Sequence, residues 1–232
     1  MTATMMFEGQ KLEIRYGPDE DFESPDDFFS PCPSEWREPY EAMLDFLEVN
    51  KWLEDMPLDA QGVLHVSLPF CGSIQEMTVL AAFLAERYLS KPGVSAVHLL
   101  ASDVQNWDIK GGYWRQKEKF VMRKYPRMKC QFRQIDLARE QNPQAALVIG
   151  VHPECTAPSA PWPQILTNVI RSARGLCVIT CFKEGEMEVV QDLCQSLGVK
   201  FEVHRNPYWE ARELPPGTIP PFLQYLVLVR AC

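Results

Sequence analysis

The residues best suited to chemistry stand at the ends of apolar runs. His152, in Gly150-Val151-His152-Pro153-Glu154, follows the run Ala146 to Ile149. An imidazole with an ordinary pKa of about 6.5 is largely neutral at cellular pH and able to accept a proton. Glu154, two residues on, is placed to orient that imidazole or to accept a hydrogen bond from a substrate. Asp103 and Asp136 also follow such runs, after Ala96 to Ala101 and after Lys129 to Ile135. An ionised carboxylate serves two neighbouring hydroxyl donors well. Either aspartate also suits the plainer duty of starting a turn or helix. His65 sits inside an apolar run, where a histidine is usually a hydrogen-bonded core group. Cys71 has no base beside it in the sequence, which argues against a nucleophile.

A second constellation is electrostatic. Lys110, Arg115, Lys117, Lys119, Arg123, Lys124, Arg127, Lys129 and Arg133 fall within residues 110–133, interleaved with Tyr113, Trp114 and Phe120. Cations with aromatics among them are the footprint expected for single-stranded RNA or another anionic ligand. The plainer reading is the solvated outer face of a helix. The same segment could also dock on acidic chain. Residues 1–60 hold 16 Asp and Glu against 4 Lys and Arg, a balance of −12, whereas residues 61–232 are at +4. The net charge of −8 is therefore a property of the N-terminal part, and that acidic arm is a candidate surface for a protein partner.

The elements that must position these groups follow from periodicity. Residues 17–35 are acidic and rich in Pro, Ser and Phe, and read as an irregular arm. Tyr40, Met43, Leu44, Leu47 and Trp52 predict a helix over about Pro39 to Glu54. Val63 to Leu68 reads as a buried strand. It is followed by the turn Pro69-Phe70-Cys71-Gly72 and a capping box, Ser73 to Glu76, opening a helix that stops near Lys91-Pro92-Gly93. Further strands are expected at 96–101, 129–135, 146–151, 176–182, 200–204 and 222–229. Helices are expected at 113–125, 163–173 and 186–197. Repeated strand–helix units with near-continuous apolar strands imply an α/β fold with a mostly parallel sheet covered on both faces. No helix separates the last two strands, so they should pair antiparallel. The expected division is an acidic N-terminal arm with a lid helix, residues 1–60, and one α/β domain, residues 61–232.

Several classes are excluded on this reading. No run reaches the roughly 20 apolar residues of a membrane helix, and Met1 to Tyr16 lacks the pattern of a signal peptide. A soluble cytoplasmic protein is expected. None of the eight cysteines forms a Cys-x-x-Cys pair, so no metal site is expected and buried free thiols are.

From about Gly62 to Arg230 the order of elements, including the terminal strand pair, resembles the class I S-adenosylmethionine-dependent methyltransferases. The resemblance implies a Rossmann-like three-layer sandwich around a seven-stranded sheet, and S-adenosylmethionine as cofactor. In that family the first strand ends in an acid and a glycine-rich loop, because a Cβ would obstruct approach to the cofactor. Here His65 stands where the acid often sits, Ser67 and Pro69 stand where glycines often sit, and Gly72 remains. The resemblance implies cofactor contacts from Ser67, Pro69, Phe70, Cys71, Gly72 and Gly150. It places Asp103, with Val104, at the ribose hydroxyls, and Asp136 and Leu137 at the adenine. The ending Gly150-Val151-His152 is similar to that of some methyltransferase-like proteins, several of them linked to RNA. It is not the Asn/Asp-Pro-Pro-Tyr motif of amino-group methylation.

The leading expectation is a methyltransferase acting on a small molecule, or on RNA, with His152 and Glu154 handling the acceptor's proton. The departures in the glycine loop favour a rival, a methyltransferase fold kept as a non-catalytic interaction subunit. A nicotinamide-dependent oxidoreductase fits less well, since Gly-x-Gly-x-x-Gly is lacking.

Overall fold

A computed structural model of the protein describes residues 2–7, 10–15, 34–72, 76–105, 113–158, 160–210 and 223–231. The acidic stretch 17–33, Ser73, Trp107, Lys110 and Phe222 lie outside the described residues, as do the side chains of Tyr113 and Trp114.

Two short strands that the sequence reading did not anticipate, β1 (Thr2–Phe7) and β2 (Gln10–Arg15), pair antiparallel from Thr2↔Arg15 to Phe7↔Gln10. Helix α1 then spans Ser34–Val49, earlier than the expected Pro39 to Glu54. Pro39 sits in its sixth position, where the ring removes one helical amide but holds φ near its helical value. Asn206 secures that turn, its Nδ2 donating to the Pro39 carbonyl at 2.9 Å. Tyr40, Met43, Leu44 and Leu47 are buried on one stripe. Each such side chain contributes on the order of 1.5–3 kcal/mol by area.

The remaining elements are β3 (Val63–Pro69), α2 (Met77–Tyr88), β4 (Ala96–Asp103), α3 (Tyr113–Lys124), β5 (Met128–Gln134), β6 (Ala145–Val151), α4 (Trp162–Ser172), β7 (Ala173–Cys181), α5 (Glu184–Ser196), β8 (Phe201–Arg205), α6 (Pro207–Glu210) and β9 (Tyr225–Arg230). Strands β3 to β9 form one seven-stranded sheet in the order β5-β4-β3-β6-β7-β9-β8. β3 to β7 run parallel to one another, and β9 is inserted antiparallel between β7 and β8. The expected mostly parallel sheet with a terminal antiparallel pair is therefore present. Chain order reverses between β3 and β6, and open α/β sheets bind ligands beyond the carboxyl ends of the strands at such a switch point. α2 begins behind Glu76, which makes no side-chain cap bond. No helix among the described residues is long and apolar enough to cross a membrane.

One sheet face carries α1, α2 and α3 over Leu64, Val66, Leu68, Val97, Leu99 and Cys130. The other carries α4 and α5 over Val148, Cys177, Ile179, Val227 and Val229. Cover on both faces holds for the β6 to β9 side. Over β3, β4 and β5 no described helix covers the second face, because residues 135–144 turn instead of winding. Their hydrogen bonds go to Asp136, whose carbonyl accepts from Arg139 and Glu140 and whose Oδ1 accepts from Ala138. Pro143 has no amide to offer.

Asn142 ties the covered half together. It is buried, exchanges hydrogen bonds with the Ser67 hydroxyl at 3.2 and 3.3 Å, and donates to Ser172 Oγ at 2.7 Å. Asn142→Ala leaves the Ser67 hydroxyl buried without its partner, at a cost of about 1–3 kcal/mol. Urea unfolding should show a lower midpoint at unchanged slope.

Candidate cofactor site

β3 runs through Pro69, so the turn begins only at Phe70. Phe70 (φ 59°) and Gly72 (φ 50°) both take the left-handed region. The Cys71 amide donates to the Ser102 carbonyl at 3.1 Å. The Gly72 amide donates to Asp103 Oδ2 at 3.0 Å, and the Gln105 amide to Oδ1 at 2.8 Å. The half-buried Asp103 carboxylate thus clamps the two loops that follow β3 and β4. Each of its oxygens keeps a further lone pair for another donor.

The other loop residues are differently placed. Ser67 lies inside the strand, 1% exposed and bonded to Asn142, away from the turn. Phe70 folds its ring across Gly150, where an added Cβ would lie 3.3 Å from Phe70 Cε2 and 3.8 Å from Pro69 Cγ. The ring packs edge-on to Trp162 at 5.7 Å. Burial, and the charges of Asp103 and Glu76, push the Cys71 thiol well up. It stays protonated, which agrees with the reading that it is no nucleophile.

Behind the loop lies a polar cluster that sequence reasoning missed. Lys117 of α3 is fully buried, and its charge acts on both Glu76 and Cys71. Burial raises the Glu76 carboxyl, while its own backbone bond and Lys117 pull it back down. The Tyr40 phenol of α1 is raised by burial and by Glu76. The signal was available: Lys117 is one helical turn before the buried Val121, hence on the inward stripe.

At the end of β6, His152 takes φ 52° and donates its amide to Thr180 Oγ1 at 3.2 Å. Its ring stacks on Phe182 with centroids 3.5 Å apart. Both ring nitrogens are buried, and burial holds the imidazole well below its usual pKa. Glu154 is exposed. Asp136 serves its own turn, Leu137 is buried under α4, and Val104 is 59% exposed beside Asp103. His65 faces the uncovered side of the sheet, its Nε2 bonded to Asp59 Oδ2 at 2.7 Å. The structure therefore places Pro69, Phe70, Cys71, Gly72, Asp103, Gly150 and His152 at the carboxyl ends of β3, β4 and β6, whereas Ser67 and His65 lie within β3 and Leu137 is buried under α4.

Two buried polar atoms near these strand ends lack hydrogen-bond partners among the described residues, Ser102 Oγ and Trp162 Nε1. Ser102 is the register partner of Pro69, and Trp162 touches Phe70. Orphaned groups of this kind fit a ligand with donors and acceptors of its own. Asp103 fits a ribose diol. The loop itself carries the bulky Phe70, packed against Gly150 and Trp162.

No protein-family model matches the sequence, and no curated protein is significantly similar to it. Solved structures are similar in fold. Magnesium protoporphyrin IX methyltransferase from Synechocystis PCC 6803 with bound SAM has a TM-score of 0.53 at 13% identity, over 92% of this chain and 86% of that one. The DszA carbon methyltransferase gives 0.53 at 12% identity over 82% and 52%. The CMeT domain of the citrinin polyketide synthase gives 0.50 at 12% identity over 78% and 50%. At such identities the likeness is one of fold, and this chain spans about half of the last two.

Proposed function

We propose that this chain, whose fold is that of the class I S-adenosylmethionine-dependent methyltransferases, binds S-adenosylmethionine at the carboxyl ends of β3 and β4 and methylates a small molecule. The observation that carries the reading is Asp103: a half-buried carboxylate at the switch-point end of β4, aimed by two backbone amides and with acceptor capacity to spare. The similar folds, one of them with SAM bound, support it. On this reading residues 1–60 supply an arm and a lid helix, and residues 61–232 the transferase domain.

When bound, the cofactor supplies an electrophilic methyl group, so the protein has only to align the acceptor and receive a proton where one is lost. Asp103 would hold the ribose hydroxyls, and the Gly72 amide fixes the turn beside them. His152 is held neutral by burial, and a neutral imidazole is the form able to take the acceptor's proton. Its depressed pKa makes it a weak base, which favours acceptors whose proton is already acidic. Exposed Glu154 would meet the acceptor rather than the cofactor.

The first test is thermal unfolding with S-adenosylmethionine and with S-adenosylhomocysteine. Either ligand, at 100 times its dissociation constant, should stabilise the fold by about 2.7 kcal/mol. A specific observation favours the rival reading, a non-catalytic interaction subunit: the loop after β3 carries Phe70, whose ring lies over Gly150. A folded sample whose melting is indifferent to both ligands would decide for it.

A further inference from the structure

The uncovered face of β3, β4 and β5 is not a bare apolar surface. It holds a cavity of about 280 Å³ whose lining includes His65, His98, Lys129, Gln131, Arg133 and Gln144. The register explains the grouping: His65 pairs with His98 and His98 with Lys129, while Leu100 pairs with Gln131 and Ser102 with Arg133. β5 alternates strictly here, with Met128 and Cys130 buried and Lys129, Gln131 and Arg133 exposed. Neither Lys129 nor Arg133 has an ion-pair partner among the described residues. The His65 and His98 rings meet edge to face at 5.3 Å.

We propose that this face binds a single strand of RNA along β5. Lys129 and Arg133 are four residues apart, roughly 13 Å at the rise of a parallel strand. That separation exceeds one phosphate group and suits a polymeric anion. Helix α3, on the other face beside the β5 edge, adds the exposed cations Lys119, Arg123 and Lys124. Gln131, and the Nε2 of Gln144 whose Oε1 accepts from Arg174, offer hydrogen bonds to bases or sugars, and half-exposed imidazoles are surfaces on which unstacked bases settle. An apolar partner helix is the wrong occupant, because it would bury both cations unpaired. The strip ends at Arg133, one position before the Asp103↔Gln134 pair, so a strand lying on it leads towards Asp103. Binding to this face does not depend on the cofactor reading and is measured without cofactor.

The experiment is fluorescence anisotropy of the full chain with a labelled 12-nucleotide single-stranded RNA of mixed sequence, between 50 and 200 mM KCl. The wild type should bind saturably, with log Kd linear in log salt. Lys129→Glu/Arg133→Glu should weaken binding at least tenfold and flatten the salt slope by about 1.4, the loss of two phosphate contacts on a single strand. Lys200→Glu/Arg205→Glu, the same charge change at the opposite sheet edge, should leave the affinity within about twofold. Both pairs are exposed, and the melting temperature of each variant checks its folding. Should the β5 pair fail that check, Lys129→Gln/Arg133→Gln carries the comparison. No saturable binding, or equal weakening by the two charge-reversal pairs, overturns the proposal. A cofactor-induced melting shift that persists in the β5 variant keeps the two sites separate.

Discussion

Asp103→Ala is expected to abolish the thermal shift produced by S-adenosylmethionine while leaving a folded protein. The substitution does two things, which a second variant separates. It removes the acceptor for the Gly72 and Gln105 amides, so the loops after β3 and β4 lose their clamp and the melting temperature falls even without ligand. It also removes the negative acceptor proposed for the ribose. Asp103→Asn keeps one oxygen for one of the two loop amides, loses the acceptor for the other, and loses the charge. A hydrogen bond to an ionised group is worth about 1.5–3 kcal/mol, so this variant should bind the cofactor roughly 10- to 150-fold more weakly. Isothermal titration calorimetry at matched protein stability reads that change directly. Unaltered affinity in Asp103→Asn would reduce Asp103 to a loop clamp and move the ribose contact elsewhere.

The parts of the fold that could be read from sequence are those where one signal dominates. The core strands β3, β6 and β7 are near-continuous apolar runs, and α5 buries Met187, Val190 and Cys194 at helical spacing. Such segments have only one way to hide their apolar atoms. Helix α1 began five residues before the expected Pro39 because a proline tolerated in an early turn was taken for the start. The uncovered face was misread for a physical reason too. β5 is Met128-Lys129-Cys130-Gln131-Phe132-Arg133-Gln134, a period of two that marks one wet face. It was grouped with its neighbours as if buried on both sides.

The candidate site was legible only in outline. Asp103 and His152 could be found because they end strands, and strand ends converge on one edge of a parallel sheet. Ser67 reads rightly as part of the strand but is also expected at the cofactor, since nothing in Val66-Ser67-Leu68-Pro69 says that its hydroxyl is taken up within the fold. Its burial depends on Asn142, 75 residues away. Phe70 over Gly150 likewise pairs residues whose proximity only the parallel register of β3 and β6 creates. Lys117 was counted with the solvated cations because charge outweighed helical position in the reading.

The second large effect concerns pH. His152 is held neutral by burial, so its folded pKa lies below its unfolded value of about 6.5. As pH falls through 6.5 the unfolded chain takes up a proton that the folded one refuses. The stability that His152 lends is therefore complete above 6.5 and is lost below it, by up to about 1.4 kcal/mol per pH unit, until the folded pKa is reached. Other groups also titrate in this range. His98 is depressed, chiefly by burial, and acts in the same sense. Glu76 and Glu186 are raised by burial and act in the opposite sense, lending stability as pH falls. The wild type alone cannot separate these, whereas His152→Asn can, because asparagine accepts a positive φ and does not titrate. Between pH 7.5 and 5.5 the wild type should lose about 1.3 kcal/mol more than the variant in urea unfolding. Equal losses would mean that the imidazole protonates normally in the fold. Its pKa would then sit near working pH, and His152 would be a stronger base than its burial on Phe182 allows. A confirmed excess loss instead fixes His152 as a neutral, weakly basic acceptor, and so restricts the methyl acceptor to groups that give up their proton readily.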